Sequence, residues 1–183
     1  MQEKNSVRRK YHLLRKKKYY EISKEFFIPL VYLIKSKIKK KKLKIALYYP
    51  SSFEINTLKL LELNFISKKD ILLPIIGENN SMNFFQWRKN EVLQVNKFGM
   101  LEPIKSKLSI PNIMLVPLLA FDKNKNRLGY GKGFYDRYLN KYLNNVKNIL
   151  TVGVAFSFQK YHNLPANNKD VKLDYILTEK GIY

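Results

Sequence analysis

Apolar residues along this chain fall into short runs that switch between two periods. Residues 44–49 (KIALYY) and 71–76 are apolar runs of strand length, and 82–87, 92–95, 150–156 and 173–177 read the same way. Residues 113–121 also predict a strand, although Pro117 cannot donate to a ladder. Ile55, Leu58, Leu61 and Phe65 recur three and four apart, which predicts a helix over 55–65. A second helix is predicted over 134–143. Residues 1–24 are charged with scattered apolar positions (Val7, Leu13, Leu14) and predict a surface helix. Residues 26–34 (FFIPLVYLI) predict a buried helix started or broken by Pro29. Residues 39–42 are expected as a solvated turn and 96–103 as a loop. Strands alternating with helices predict an α/β fold: one domain over 1–183, a mostly parallel sheet flanked by helices on both faces.

No run reaches the roughly 18 apolar residues a membrane helix needs. The apolar stretch at 26–34 is preceded by Glu21 and Glu25, is followed by lysines and has no small-residue cleavage site, unlike a signal peptide. No membrane partner and a cytoplasmic location are expected. The absence of cysteine excludes disulfides, thiolate zinc sites and thiol nucleophiles. With His12 and His162 as the only histidines, a Ser-His-Asp triad or a multi-histidine metal site is not expected.

The net charge of +21 invites a nucleic-acid reading. Only six of the 35 basic residues are arginine, however, and asparagine, isoleucine and tyrosine are abundant. An AT-rich coding sequence produces that mixture without selection for binding, so no specific nucleic-acid partner is expected. A basic nucleic-acid-binding module stands as the alternative from a different functional class. Residues 132–138 (KGFYDRY) partly imitate an RNA-recognition octamer, but they read as helix, and base stacking on them is not expected.

The densest chemistry lies in residues 113–139, where an apolar run passes through a polar turn into a basic glycine-rich loop that opens a helix. Gly129, Gly131 and Gly133 let backbone approach an anion without side-chain obstruction. Arg127 and Lys132 bring cations there, and Asp136, just inside the helix, offers a carboxylate for magnesium. Exposed amides, a helix N-terminus, cations and a metal carboxylate are the parts of a polyphosphate site. The loop matches neither GxxxxGK[ST] nor GxGxxG.

The segment NRLGYGKGFYDRYL, preceded by VPLLAFD, resembles the signature of the 5-formyltetrahydrofolate cyclo-ligase family. Further likenesses follow in order along nearly the whole chain: the basic pair Lys4 and Arg8, then YPSSFEINT at 49–57, KFGMLEP at 97–103 and KDVKLDYILTE at 169–179. The chain departs from the family's common pattern at Asn56, where an acidic residue is usual, and at Lys169, where histidine often stands. Tyr130 falls at a position that varies.

The resemblance implies conversion of 5-formyltetrahydrofolate and ATP into 5,10-methenyltetrahydrofolate, ADP and phosphate by a monomer, with Mg2+ as cofactor. It implies that Lys4, Arg8, Arg127, Leu128, Gly129, Tyr130, Gly131, Lys132, Gly133, Phe134 and Tyr135 hold ATP. Arg8, Arg127 and Lys132 become the catalytic cations. Tyr49, Glu54 and the loop from Tyr130 to Phe134 face the folate, with Glu54 accepting from the pterin. Asp136 and Asp170 take magnesium. Without the resemblance, Lys4 and Arg8 read as a solvated helix face and Asp136 as a complement to the helix dipole. Asp170 then reads as a turn residue, Glu54 as a helix cap and Trp87 as core.

Overall fold

The computed structural model describes residues 2–39, 42–143 and 149–183. Seven strands form the main sheet in the order β11-β10-β9-β6-β1-β2-β3. Its centre is parallel: β2 (Asp70–Ile76), β1 (Lys44–Ala46), β6 (Ile113–Pro117), β9 (Leu150–Val154) and β10 (Tyr175–Thr178). The edges, β3 (Met82–Gln86) and β11 (Gly181–Ile182), run antiparallel to their neighbours. Two small hairpins stand apart: β4 (Leu93–Val95) with β5 (Leu101–Pro103), and β7 (Ala120–Phe121) with β8 (Arg127–Leu128).

Side-chain alternation along the strands divides the core into two layers. Ile45, Leu47, Ile113 and Leu115 pack on α2 (Ile28–Lys37) through Leu30 and Ile34. Ala46, Met114 and Val116 pack on α3 (Phe134–Leu143) through Tyr138 and Leu139. Central strands buried on both faces explain why these segments read as continuous apolar runs. The first helix, α1 (Gln2–Lys18), lies elsewhere. Its Val7 and Tyr11 pack on Leu119, Ala120 and Leu128, just past the carboxyl end of β6.

The structure departs from the sequence expectation in three places. Residues 55–65 form a 3₁₀ turn, Thr57–Glu62, rather than an α-helix, with Asn56 accepting from the Leu58 amide at 3.1 Å as its N-cap. The spacing Ile55, Leu58, Leu61 is the eclipsed three-residue repeat of a 3₁₀ helix. Residues 96–103 are not simply a loop, because 101–103 return as β5. Residues 113–121 break after Pro117: Leu119 N leaves the sheet for Leu128 O at 2.7 Å, and β7 pairs with β8. Of the two roles expected for Pro29, the structure shows the first: it starts a helix, in the first turn of α2. Trp87 is core. The expected turn at 39–42 lies partly outside the described residues, at 40 and 41. Among the described residues no helix is long and apolar enough to cross a membrane.

Candidate active site

From β1 the chain crosses to β2 on one side, whereas β6, on the other side of β1, leads to β9. The crevice beyond the carboxyl ends of β1 and β6 is therefore a topological switch point, where ligands bind in open α/β sheets. Arg15 spans it. Its Nη1 donates to Leu118 O at 3.2 Å, past the end of β6, and its Nη2 to Ser52 O at 2.7 Å, past the end of β1. Arg15 is 1% exposed, and its Nε has no partner among the described residues.

The glycine loop lies over this crevice. Among the described residues, the backbone amides of residues 129–134 find no acceptor. Gly131 and Gly133 adopt φ of +96° and +68°, which L side chains rarely adopt. Arg8 Nε donates to Gly129 O at 2.9 Å, which ties α1 to the loop. The Lys132 ammonium makes no hydrogen bond or ion pair among the described residues and stands 5.9 Å from the ring of Phe98, at the tip of the β4–β5 hairpin. Phe134 packs edge-on against the same ring at 5.7 Å.

Arg127 and Asp136 hold each other. Both Nη atoms of Arg127 donate to Asp136 Oδ1 at 2.9 Å, and Nη1 also reaches Val171 O at 3.3 Å. Burial pushes the guanidinium's pKa down, and Asp136 opposes that shift. The Val171 amide donates to the same Oδ1 at 3.1 Å. One residue earlier, Asp170 Oδ2 accepts Lys4 Nζ at 2.5 Å and the Asn167 amide at 2.7 Å. Asp136 Oδ2 and Asp170 Oδ1 accept nothing among the described residues. That leaves two carboxylate oxygens on adjoining segments, which suits magnesium, a hard cation that takes one or two carboxylates and completes its shell with water and phosphate. No group of three or more metal-binding side chains exists among the described residues.

Glu54 follows β1 and is 7% exposed. Its Oε2 accepts the Ser51 amide at 3.0 Å and the Ser51 hydroxyl at 3.3 Å. Its Oε1 accepts the Tyr130 hydroxyl at 2.7 Å, and that hydroxyl accepts from Arg15 Nη2. Burial raises the Glu54 pKa, against the lowering effect of Tyr130, Arg15 and Ser51. Asn56, not Glu54, caps the following 3₁₀ turn. Glu54 lines a cavity of about 250 Å³ with Tyr19, Pro50, Ser51, Ser52, Phe53 and Asn56. A second cavity, of about 350 Å³, is lined by Arg8, Arg9, His12, Leu13, Leu119 and Tyr130.

A model of the 5-formyltetrahydrofolate cyclo-ligase family matches residues 2–179. The chain belongs to that family. A cyclo-ligase of this name from Haemophilus influenzae is 36% identical over 143 residues, which are 73% of this chain and 74% of that one. Another from Mycoplasma genitalium is 33% identical over 140 residues, covering 73% and 70%. Among solved structures, the 5,10-methenyltetrahydrofolate synthetase of Aquifex aeolicus superposes with a TM-score of 0.75 at 33% identity, over 98% of this chain and 91% of that one. The synthetase of Mycoplasma pneumoniae gives 0.69 at 26% identity, over 95% and 97%.

Within this cyclo-ligase fold, Lys4, Arg8, Arg127, the loop residues, Asp136 and Asp170 come together. Leu128 is buried in β8 beneath them. Tyr49 is half-buried just before the Glu54 cavity and lines neither cavity. The buried placement of two side chains was not legible in the sequence. Arg15 is hidden in a basic stretch, and only its spacing from Val7 and Tyr11, eight and four residues along the helix, marks it as inward-facing. The Tyr135 hydroxyl is buried without a partner among the described residues, its pKa raised by burial and by Glu54. Nothing in sequence distinguishes it from a packing tyrosine.

Proposed function

We propose that this chain closes 5-formyltetrahydrofolate to 5,10-methenyltetrahydrofolate, using ATP and magnesium. The observation that carries the reading is the row of unpartnered amides at residues 129–134, beside Arg8 and Lys132, above a buried carboxylate that faces its own cavity. In this reading those amides and cations hold the ATP phosphates, and Lys4 reaches them from the first turn of α1. Asp136 and Asp170 would hold magnesium through their unused oxygens, and the ion would neutralise charge on the phosphates. Arg127 braces Asp136 and, through it, the loop. Glu54 accepts hydrogen bonds from the pterin's N–H groups, with Tyr49 at the pocket's edge.

The formyl oxygen takes the γ-phosphoryl group, and ADP leaves. N10 then attacks the formyl carbon, the C–O bond breaks, phosphate departs with that oxygen, and N10 gives up its proton. Phosphorylation is needed because an amide oxygen is otherwise a poor leaving group. Such a transfer depends on positioning and charge neutralisation rather than on a covalent nucleophile, which accords with a chain without cysteine. The test is the absorbance of methenyltetrahydrofolate formed by purified protein. Product should appear only with ATP and a divalent metal both present. Turnover without ATP, or none from folded protein, would overturn the reading.

A further inference from the structure

Tyr130 stands between the two cavities. Its ring lines the one that also holds Arg8, and its hydroxyl reaches across to Glu54, which lines the other. The two oxygens of Glu54 are held differently. Oε2 is fixed by Ser51, a sequence neighbour, whereas among the described residues Oε1 is met only by the Tyr130 hydroxyl. Arg15 donates to that same hydroxyl, so it has one direction left for its proton, toward Glu54. A pterin entering the Glu54 cavity brings N–H donors to the oxygen that Tyr130 already occupies.

The backbone carrying Tyr130 can respond. Gly129 and Gly131 flank it, and nothing lies within 4 Å of where a side chain at Gly129 would begin. Gly129 O is also the acceptor for Arg8, so movement of Tyr130 is felt at a phosphate ligand. Phosphoryl transfer requires the γ-phosphate and the formyl oxygen to meet, and the tyrosine separates the two spaces.

We propose that Tyr130 couples the two substrates: its hydroxyl occupies Glu54 Oε1 while the folate cavity is empty, and the pterin's donors displace it, releasing the loop to close on ATP. This rests on the function proposed above and adds a positioning residue to it. Folate and nucleotide then favour each other's binding, by one factor in both directions, since such coupling is reciprocal. The direction of a substitution follows. In Tyr130→Phe, Oε1 has no occupant to displace and is left a buried, unmet acceptor in the empty protein. Folate alone should bind about tenfold tighter, and the dependence of its affinity on nucleotide should largely vanish.

Calorimetric titration of 5-formyltetrahydrofolate, with and without a non-hydrolysable ATP analogue and magnesium, tests this on the unmodified chain and on Tyr130→Phe. Thermal melts accompany both. The expected result is synergy in the unmodified protein, then tighter folate binding, lost synergy and a lower ligand-free melting temperature in the variant. Weaker folate binding in the variant would mean that Tyr130 orients Glu54 rather than competing for it, and would overturn the coupling. A lower melting temperature with synergy intact would also overturn it, by making the hydroxyl merely structural. Absence of synergy in the unmodified protein refutes it without any variant. Should the unmodified protein neither bind folate nor form methenyl product, the function proposed above fails, and the coupling with it.

Discussion

Lys4 Nζ stands 2.5 Å from Asp170 Oδ2, an ion pair that joins the first turn of α1 to a segment 166 residues later. It places a cation that the family resemblance assigns to phosphate beside a carboxylate that it assigns to magnesium. Both side chains are partly exposed, at 18% and 24%, so solvent screens the pair and its share of stability stays below about 1 kcal/mol.

Lys4→Ala should therefore leave the melting temperature nearly unchanged. It should weaken ATP binding by about 1.5–3 kcal/mol, the scale of a charged hydrogen bond to phosphate. Calorimetric titration with a non-hydrolysable analogue, together with a melt, checks both. A clear loss of stability with unchanged nucleotide affinity would make the pair a structural clasp.

Arg127 leads to the opposite expectation. Its side chain is 4% exposed and its partner Asp136 24%, so removing the guanidinium strands a half-covered carboxylate. Arg127→Ala should cost about 3 kcal/mol of stability, the low end for a broken buried pair. Asp136→Asn keeps an oxygen for the Val171 amide and should destabilise less, while raising the magnesium concentration needed for turnover. Denaturant unfolding of both variants, with a magnesium titration of the second, decides the matter. If Arg127→Ala unfolds like the unmodified protein, Arg127 is not a brace.

How far the sequence carried can be judged from particular elements. The parallel centre was legible because strands buried on both faces leave unbroken apolar runs at 44–49, 71–76 and 113–117. The 3₁₀ turn was not, since a three-residue apolar spacing also fits one face of an α-helix. The loop's glycines showed where backbone is bare, but not where side chains at its ends would point. Nothing in the sequence showed that Arg127 and Asp136, each expected to face a ligand, also bond to each other. The partners of Arg15 were unreadable because they depend on what packs against the helix, and Leu118 and Ser52 are far away in sequence.

Gly131 is the loop glycine that stands against Arg8. A side chain there would begin 3.2 Å from Arg8 Cζ, on a backbone at φ +96°. Gly131→Val should push Arg8 off the Gly129 carbonyl and weaken ATP binding while the core stays folded, since Gly131 belongs to neither core layer. Nucleotide affinity by titration and secondary structure by circular dichroism test this. Unchanged affinity would make the loop a simple turn.

The surplus of positive charge should act nonspecifically. Binding to RNA or DNA is expected to fade steeply as salt rises through the physiological range, because it would rest on counterion release. Filter binding across a salt series measures the slope. Sequence-selective binding that persists at physiological salt would favour a nucleic-acid role over the enzyme.

Glu54 and Lys132 should separate the two substrates. Glu54→Gln is expected to weaken folate by about 1.5–3 kcal/mol and ATP little, and Lys132→Ala to weaken ATP more than folate. Acidity provides an independent check. Burial raises the Glu54 pKa above its ordinary 4.5, so the folded protein holds that proton to higher pH than the unfolded chain does. Stability contributed by this group is present below pH 4.5 and is lost as pH rises through the folded pKa. Glu54→Gln does not titrate, so its stability relative to the unmodified protein should improve as pH rises through that window. Folate binding runs the other way, because the pterin needs the ionised carboxylate. Affinity should fall on acidification with a midpoint above 4.5 in the unmodified protein, and the variant should lack that step. Folate titrations and melts at several pH values measure both slopes. A variant that binds folate normally but melts lower at every pH would make Glu54 a structural residue of the 51–54 turn and remove it from the site.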